Sequence, residues 1–201
     1  MEFMLEQTKP KSDSIWDNYV PIIQQGNTYG VYLTDQIDAP AEYNQLIYLL
    51  GNLDHYHTVN IFINNGGGSV NSAFMIREAI LKSKARTIAH LSGTVASAAT
   101  VIALSCNDLI VSPFLSFMAH NYFHGVQGTG NQVKDYVDFT DRELKRAFRM
   151  IYTNFLTEEE IQLVTERDKE VWLNEVEVAE RWINYKAKSK LFLGAPNEDI
   201  T

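Results

Sequence analysis

The hydrophobic positions of the chain switch repeatedly between a two-residue period and a helical one, the pattern of strands and helices in alternation. GVYLTDQI, from Gly30, predicts a first strand, and AEYNQLIYLLGNL, following Pro40, repeats its apolar residues at helical spacing. HTVNIFIN then predicts a strand, SVNSAFMIREAILKSK a helix and RTIAHLSG a third strand. The small-residue segment VASAATVIALS predicts a helix, followed by strands in NDLIVS and FLSFMAH. Residues 131–156 form the longest helical stretch, an apolar stripe flanked by alternating charges. Thr157 with Glu160 forms a capping box for a further helix, a last helix lies near Glu175–Ile183, and KLFLG predicts a closing strand.

This order implies an α/β domain whose parallel strands are joined by right-handed crossovers. Residues 1–28 are polar and interrupted by Pro10, Pro21 and Gly26, which predicts an N-terminal arm ahead of a single domain over 29–201. A chain of 201 residues with 45% hydrophobic and 21% charged residues can bury its own core without disulfides or structural metal.

A net charge of −8 argues against nucleic acid as a partner, since phosphate binding needs clustered Lys and Arg. The single cysteine, Cys106, rules out an internal disulfide, and no Cys/His spacing suits zinc, so no metal is expected and a reducing cytoplasm is the expected compartment. The first residues lack a basic start and an apolar run, and Val95–Leu104 is too short to span a bilayer, so neither secretion nor a membrane partner is expected.

Three segments carry chemistry. Ile63-Asn64-Asn65-Gly66-Gly67-Gly68-Ser69-Val70 is a strand end, a glycine turn and a helix start, where exposed N–H groups can hold an oxyanion or where the chain merely turns tightly. Gly93-Thr94-Val95-Ala96-Ser97-Ala98-Ala99 sets one serine among small residues at a predicted helix N-terminus, a nucleophile position or a close-packing one with Ser97 bonded to its own turn. Phe117-Met118-Ala119-His120 ends an apolar strand on a histidine able to act as general base, although His90 and His124 are placed similarly. Glu166, Asp168 and Glu170 form an acidic cluster that could supply a third, orienting carboxylate or a solvated face.

In this order the segments resemble the ClpP family, the peptidase chamber of ATP-dependent Clp proteases, over roughly residues 29–185. INNGGGSV is similar to the family's INSPGGSV, GTVASAA to its GxAASMG, FMAH to its strand ending MIH, and YGVYLTDQI to its first strand RIIFLxGxI. The resemblance implies a ClpP/crotonase-like spiral of ββα repeats with a protruding helix–strand handle at about 122–156. It implies Ser97 as nucleophile, His120 as base, and the N–H groups of Gly68 and Ala98 as oxyanion hole. It also implies substrate held as an added strand between Gly67, Ser69 and Val70 and the 125–130 segment.

Glu170 stands in the slot of the family's aspartate, two places before an aromatic–aliphatic pair, here Trp172-Leu173; Asp168 is the runner-up. Gly66 replaces the family's proline, and Asn121-Tyr122 the residues after its histidine. The implied protein is a serine endopeptidase without cofactor. It would form a homo-oligomeric double ring, heptameric by resemblance, open to peptides or to unfolded polypeptide fed by an AAA+ Clp unfoldase. The departures keep a weakly active or inactive subunit of a mixed ring as an alternative. The shared spiral fold keeps a crotonase-like acyl-CoA enzyme as another, and a viral capsid maturation protease would share the catalysis.

Overall fold

The computed structural model describes residues 20–123 and 125–193, so the arm predicted at 1–19 and His124 lie outside the described residues. Seven strands form one sheet in the order β1(Ile22–Gln25), β2(Thr28–Leu33), β3(Thr58–Asn65), β4(Arg86–Ala96), β6(Ser116–Ala119), β7(Val171–Asn174), with β5(Asp108–Val111) paired beside β6 on β4. Strands β2 to β6 run parallel, whereas β1 and β7 are antiparallel to their neighbours. The parallel strands are joined by α1(Asn44–Asn52), α2(Val70–Lys82) and α3(Ala98–Ala103). The remaining helices are α4(Gly130–Tyr152), α5(Glu158–Arg167) and α6(Glu175–Leu193).

Alternation along β3 and β4 decides which way the sheet faces. Val59, Ile61, Ile63, Ala89 and Leu91 point inward and are fully or almost fully buried against α1, α2 and α3 with Leu46, Leu50, Ile76 and Ile102. Each large side chain so buried contributes roughly 1.5–3 kcal/mol. The other face carries a ladder of rings, Tyr32 on Phe62 at 4.9 Å and Phe62 on His90 at 4.6 Å between centroids. Thr157 caps α5 in the predicted capping box, its hydroxyl accepting from Glu160 N–H while the Glu160 carboxylate accepts from Thr157 N–H.

Several expectations are corrected. Within the arm expected over 1–28, Ile22–Gln25 forms β1, an antiparallel hairpin partner of β2 turning at Gly26 with φ 59°. Alternation here is masked by the polar Gln24 and Gln25, which an edge strand leaves in solvent. The helix expected from Val95 begins at Ala98, because Val95 and Ala96 continue β4 and pair with Phe117 and Met118; small residues suit both periods.

KLFLG is not a strand: residues 190–193 belong to α6, and the last strand is instead β7, whose burial alternates over only four residues. A short apolar run does not reveal its period. In the handle region the helix α4 is present, but residues 121–123 and 125–129 form no strand.

Candidate active site

The site forms where β4 passes into α3. Ala96 pairs with Met118, and Ser97 N–H donates to the Met118 carbonyl at 2.8 Å, so the ladder between β4 and β6 carries Ser97 alongside the end of β6. His120 follows directly on that strand. Its Nε2 lies 2.6 Å from Ser97 Oγ. Ser97 occupies φ 55° and ψ −127°, a conformation rarely adopted by a residue with a Cβ, and its side chain makes no cap to α3. A strained strand-to-helix turn of this kind lifts a hydroxyl clear of the backbone and is the geometry of nucleophile elbows. The alternative role of Ser97, bonded within its own turn, is therefore not the one adopted.

His120 is half-buried, and that burial holds its pKa below the usual histidine value, partly opposed by the Glu170 carboxylate. A neutral imidazole at neutral pH can accept the serine proton. The antiparallel register of β7 pairs Ala119 with Val171, so the residues one step beyond are His120 and Glu170. Glu170 acts on His120 through space while its Oε2 accepts from Trp172 Nε1 at 2.9 Å. Asp168 ends α5 in the left-handed conformation and accepts from Asn121 Nδ2 at 2.7 Å. Both carboxylates share a cavity of about 410 Å³ with His120, Asn121, Tyr122, Phe123 and Asp141. Of the two, Glu170 is the one whose charge reaches the histidine. Glu166 faces away, against Lys145 and Arg149 of α4.

The glycine turn is tied down on three sides. Asn65, almost fully buried, accepts from Gly67 N–H at 2.8 Å and donates to the Asp35 carbonyl. Ile37 N–H donates to the Gly67 carbonyl at 2.9 Å, and the Ile37 carbonyl accepts from Ser69 N–H at 2.7 Å. Those bonds use the groups on either side of Gly68 N–H. Gly67 has φ 103°, and a Cβ there would stand 2.6 Å from the Ser97 Cβ, so only glycine allows the turn to lie against the serine. Ser69 is the N-cap of α2, accepting from Ser72 N–H at 3.2 Å, and Val70 opens that helix.

The structure thus brings Gly67, Gly68, Ser97, Ala98, His120 and Glu170 to one place. It does not form a strand at 125–129 to face the Gly67–Val70 edge. His90, the other histidine ending an apolar run, lies on the ring ladder and bonds Asn60 at 2.8 Å. The sequence reading gives no role to Asn65, within the glycine segment, to Asn121, after the histidine, or to Ile37, the last residue of YGVYLTDQI. The asparagines are legible as polar residues that burial would have to satisfy; nothing local gives Ile37 its part. Among the described residues no group of three His, Cys, Asp or Glu side chains could hold a metal ion, and no helix is long and apolar enough to cross a membrane.

Two comparisons with known proteins bear on this geometry. The family model described as Clp protease matches residues 21–181, a span containing every residue of the site. Among curated proteins, none matches the chain.

Proposed function

The chain belongs to the Clp protease family, and from that premise we propose that it is a serine endopeptidase working by acyl transfer. The observation that carries this reading is the 2.6 Å contact between Ser97 Oγ and a half-buried His120 with a lowered pKa. Ser97 Oγ attacks the peptide carbonyl carbon, and His120 Nε2 takes its proton and passes it to the leaving amine. The N–H groups of Gly68 and Ala98 receive the oxyanion, and water, activated by the same imidazole, releases the acyl group. Glu170 is the acidic member, stabilising the imidazolium through space. Substrate backbone pairs along the Gly67–Val70 edge, which favours loose sequence preference.

Treatment with a serine-directed fluorophosphonate followed by peptide mapping tests the assignment. Modification confined to Ser97 is expected; modification elsewhere with Ser97 untouched would remove the nucleophile.

A change at Glu170 should appear in the pH profile, with a definite sign. Cleavage needs neutral His120, so kcat/KM falls as pH drops through its pKa. Glu170 raises that pKa. In Glu170→Gln the acid limb of kcat/KM therefore moves to lower pH while the plateau falls by about tenfold or more through lost stabilisation of the imidazolium. An acid limb that stays in place, or moves up, would show that Glu170 is not the charge felt by His120.

In this reading the chains assemble into a heptameric double ring in the cytoplasm, closed to folded proteins and supplied with unfolded polypeptide by an AAA+ Clp unfoldase. The exposed Phe123, Tyr136, Phe139 and Met150, on α4 and just before it, favour contact between rings through this helix. Burial pushes the Cys106 thiol up to about 12, which makes it an inert core residue.

A second reading, a weakly active subunit of a mixed ring, is favoured by one observation: among the described residues no carboxylate hydrogen-bonds His120, and Glu170 is occupied by Trp172. Peptide cleavage by purified homomeric rings separates the two.

A further inference from the structure

The mechanism above leaves unused a buried polar pair behind the serine. Thr100 and Tyr152 are 0% and 1% exposed. Thr100 Oγ1 donates to the Ser97 carbonyl at 2.6 Å, and the Tyr152 hydroxyl lies 2.7 Å from Thr100 Oγ1. The direction of the second bond follows from the first. The Ser97 carbonyl can only accept, so the Thr100 proton is committed to it and the Tyr152 hydroxyl must donate to Thr100. Burial pushes the Tyr152 hydroxyl up to about 12, which keeps that proton in place.

The Ser97 carbonyl and the Ala98 N–H belong to one planar peptide unit, and no peptide bond in the described chain is cis. In a trans unit the two groups point in opposite directions, so fixing the carbonyl fixes the N–H. Thr100 N–H also donates to the Ser97 carbonyl, at 2.9 Å, but that bond alone closes only the first turn of a six-residue helix. The side-chain bond adds a second restraint, and Tyr152, the last residue of α4, secures it from outside the turn.

We infer that Thr100 and Tyr152 are positioning residues for peptide cleavage: by anchoring the Ser97 carbonyl they aim the Ala98 N–H at the developing oxyanion and tie that aim to the C-terminal end of α4. This rests on the serine-peptidase reading and deepens it. Without the pair, the Ser97–Ala98 peptide rocks about the strained ψ of Ser97, and the donor meets the transition state less often. The substrate, bound along the glycine edge, is held as before. The loss therefore falls on kcat and spares KM. Displacement of the end of α4 would act on the same peptide, so this helix is a route by which neighbouring chains can tune the site.

The test compares wild type, Tyr152→Phe, Thr100→Ser, Thr100→Val and the double variant Thr100→Val/Tyr152→Phe as assembled protein on one fluorogenic peptide. Thr100→Ser keeps the hydroxyl and is expected to retain kcat within about twofold. Thr100→Val is expected to lose about 10- to 100-fold in kcat at constant KM, less than the roughly 10²–10³-fold seen when an oxyanion donor is removed outright. Tyr152→Phe should lose less. The double variant leaves no buried hydroxyl unpaired, so its thermal stability should recover toward wild type while its kcat does not.

Affinity for a peptide boronate, which mimics the tetrahedral state, should fall in step with kcat. Recovery of kcat together with stability in the double variant would overturn the inference by reducing the pair to a packing role, as would an unchanged kcat in Thr100→Val. An inactive wild type that resists fluorophosphonate would instead overturn the peptidase reading itself.

Discussion

Ser97→Ala and Ser97→Gly are both expected to abolish peptide cleavage, by roughly 10⁴-fold or more in kcat, yet to differ in stability. The first effect follows from loss of the hydroxyl that lies 2.6 Å from His120 Nε2. The second follows from the backbone. At φ 55° and ψ −127° a Cβ is strained, a condition that costs of order 1–3 kcal/mol, and alanine keeps that strain whereas glycine removes it. Against this, glycine gains entropy in the unfolded chain, about 0.4–1 kcal/mol. The net expectation is that Ser97→Gly is more stable than Ser97→Ala by about 1 kcal/mol, measured as a higher denaturation midpoint at equal slope. Retained cleavage in Ser97→Ala would end the nucleophile assignment. A glycine variant less stable than the alanine variant would show that the turn is not strained and that the elbow geometry has another cause.

Gly68→Ala is expected to be nearly as damaging without touching a catalytic side chain. Gly68 has φ 142°, and a Cβ there would overlap the carbonyl oxygen of Ile37. That oxygen is held by Ser69 N–H, and the obstructing atom is backbone, so no side chain can rotate away. Either the bridge between Ile37 and Gly68 opens or the turn shifts, and each displaces the Gly68 N–H. Loss of one oxyanion donor costs roughly 10²–10³-fold in kcat. The fold should survive, since β3 and α2 keep their cores, so circular dichroism near wild type with kcat at least 100-fold lower is the expected pairing. Cleavage near the wild-type rate would mean that the turn supplies no donor. Gly66→Ala is the control: a Cβ at Gly66 meets nothing within 4 Å, and near-normal activity is expected.

The candidate dyad and the glycine turn were legible because each sits where a periodic pattern ends. His120 closes the FLSFMAH run, Ser97 stands among small residues at a predicted helix start, and three successive glycines mark a turn. The order of strands and helices was legible for the same reason, in long segments such as residues 57–64 and 131–156. Errors collected where segments were short or small-sided: β1 read as arm, β7 unread, KLFLG read as strand, Val95 and Ala96 assigned to the wrong element. Four residues contain too few alternations to separate a strand from a helix turn.

The partners of those motif residues were decided by tertiary structure alone. Asn65 and Gly67 are near in sequence, but Ile37 reaches the turn from 30 residues away, and Tyr152 reaches Thr100 from 52. As neighbouring acids Glu170 and Asp168 look alike, and only the resemblance, through Trp172-Leu173, ranks Glu170 first; the β6–β7 register sets Glu170 one step beyond the Ala119–Val171 pair, as His120 is, while Asp168 at the left-handed end of α5 accepts from Asn121. Periodicity records which side of an element faces the core, so the sequence by itself determined the long elements and marked the candidate side chains at their ends. It carries no record of which strand edge or helix end arrives opposite. That depends on register and on the satisfaction of buried polar groups, which exist only once the chain has closed on itself.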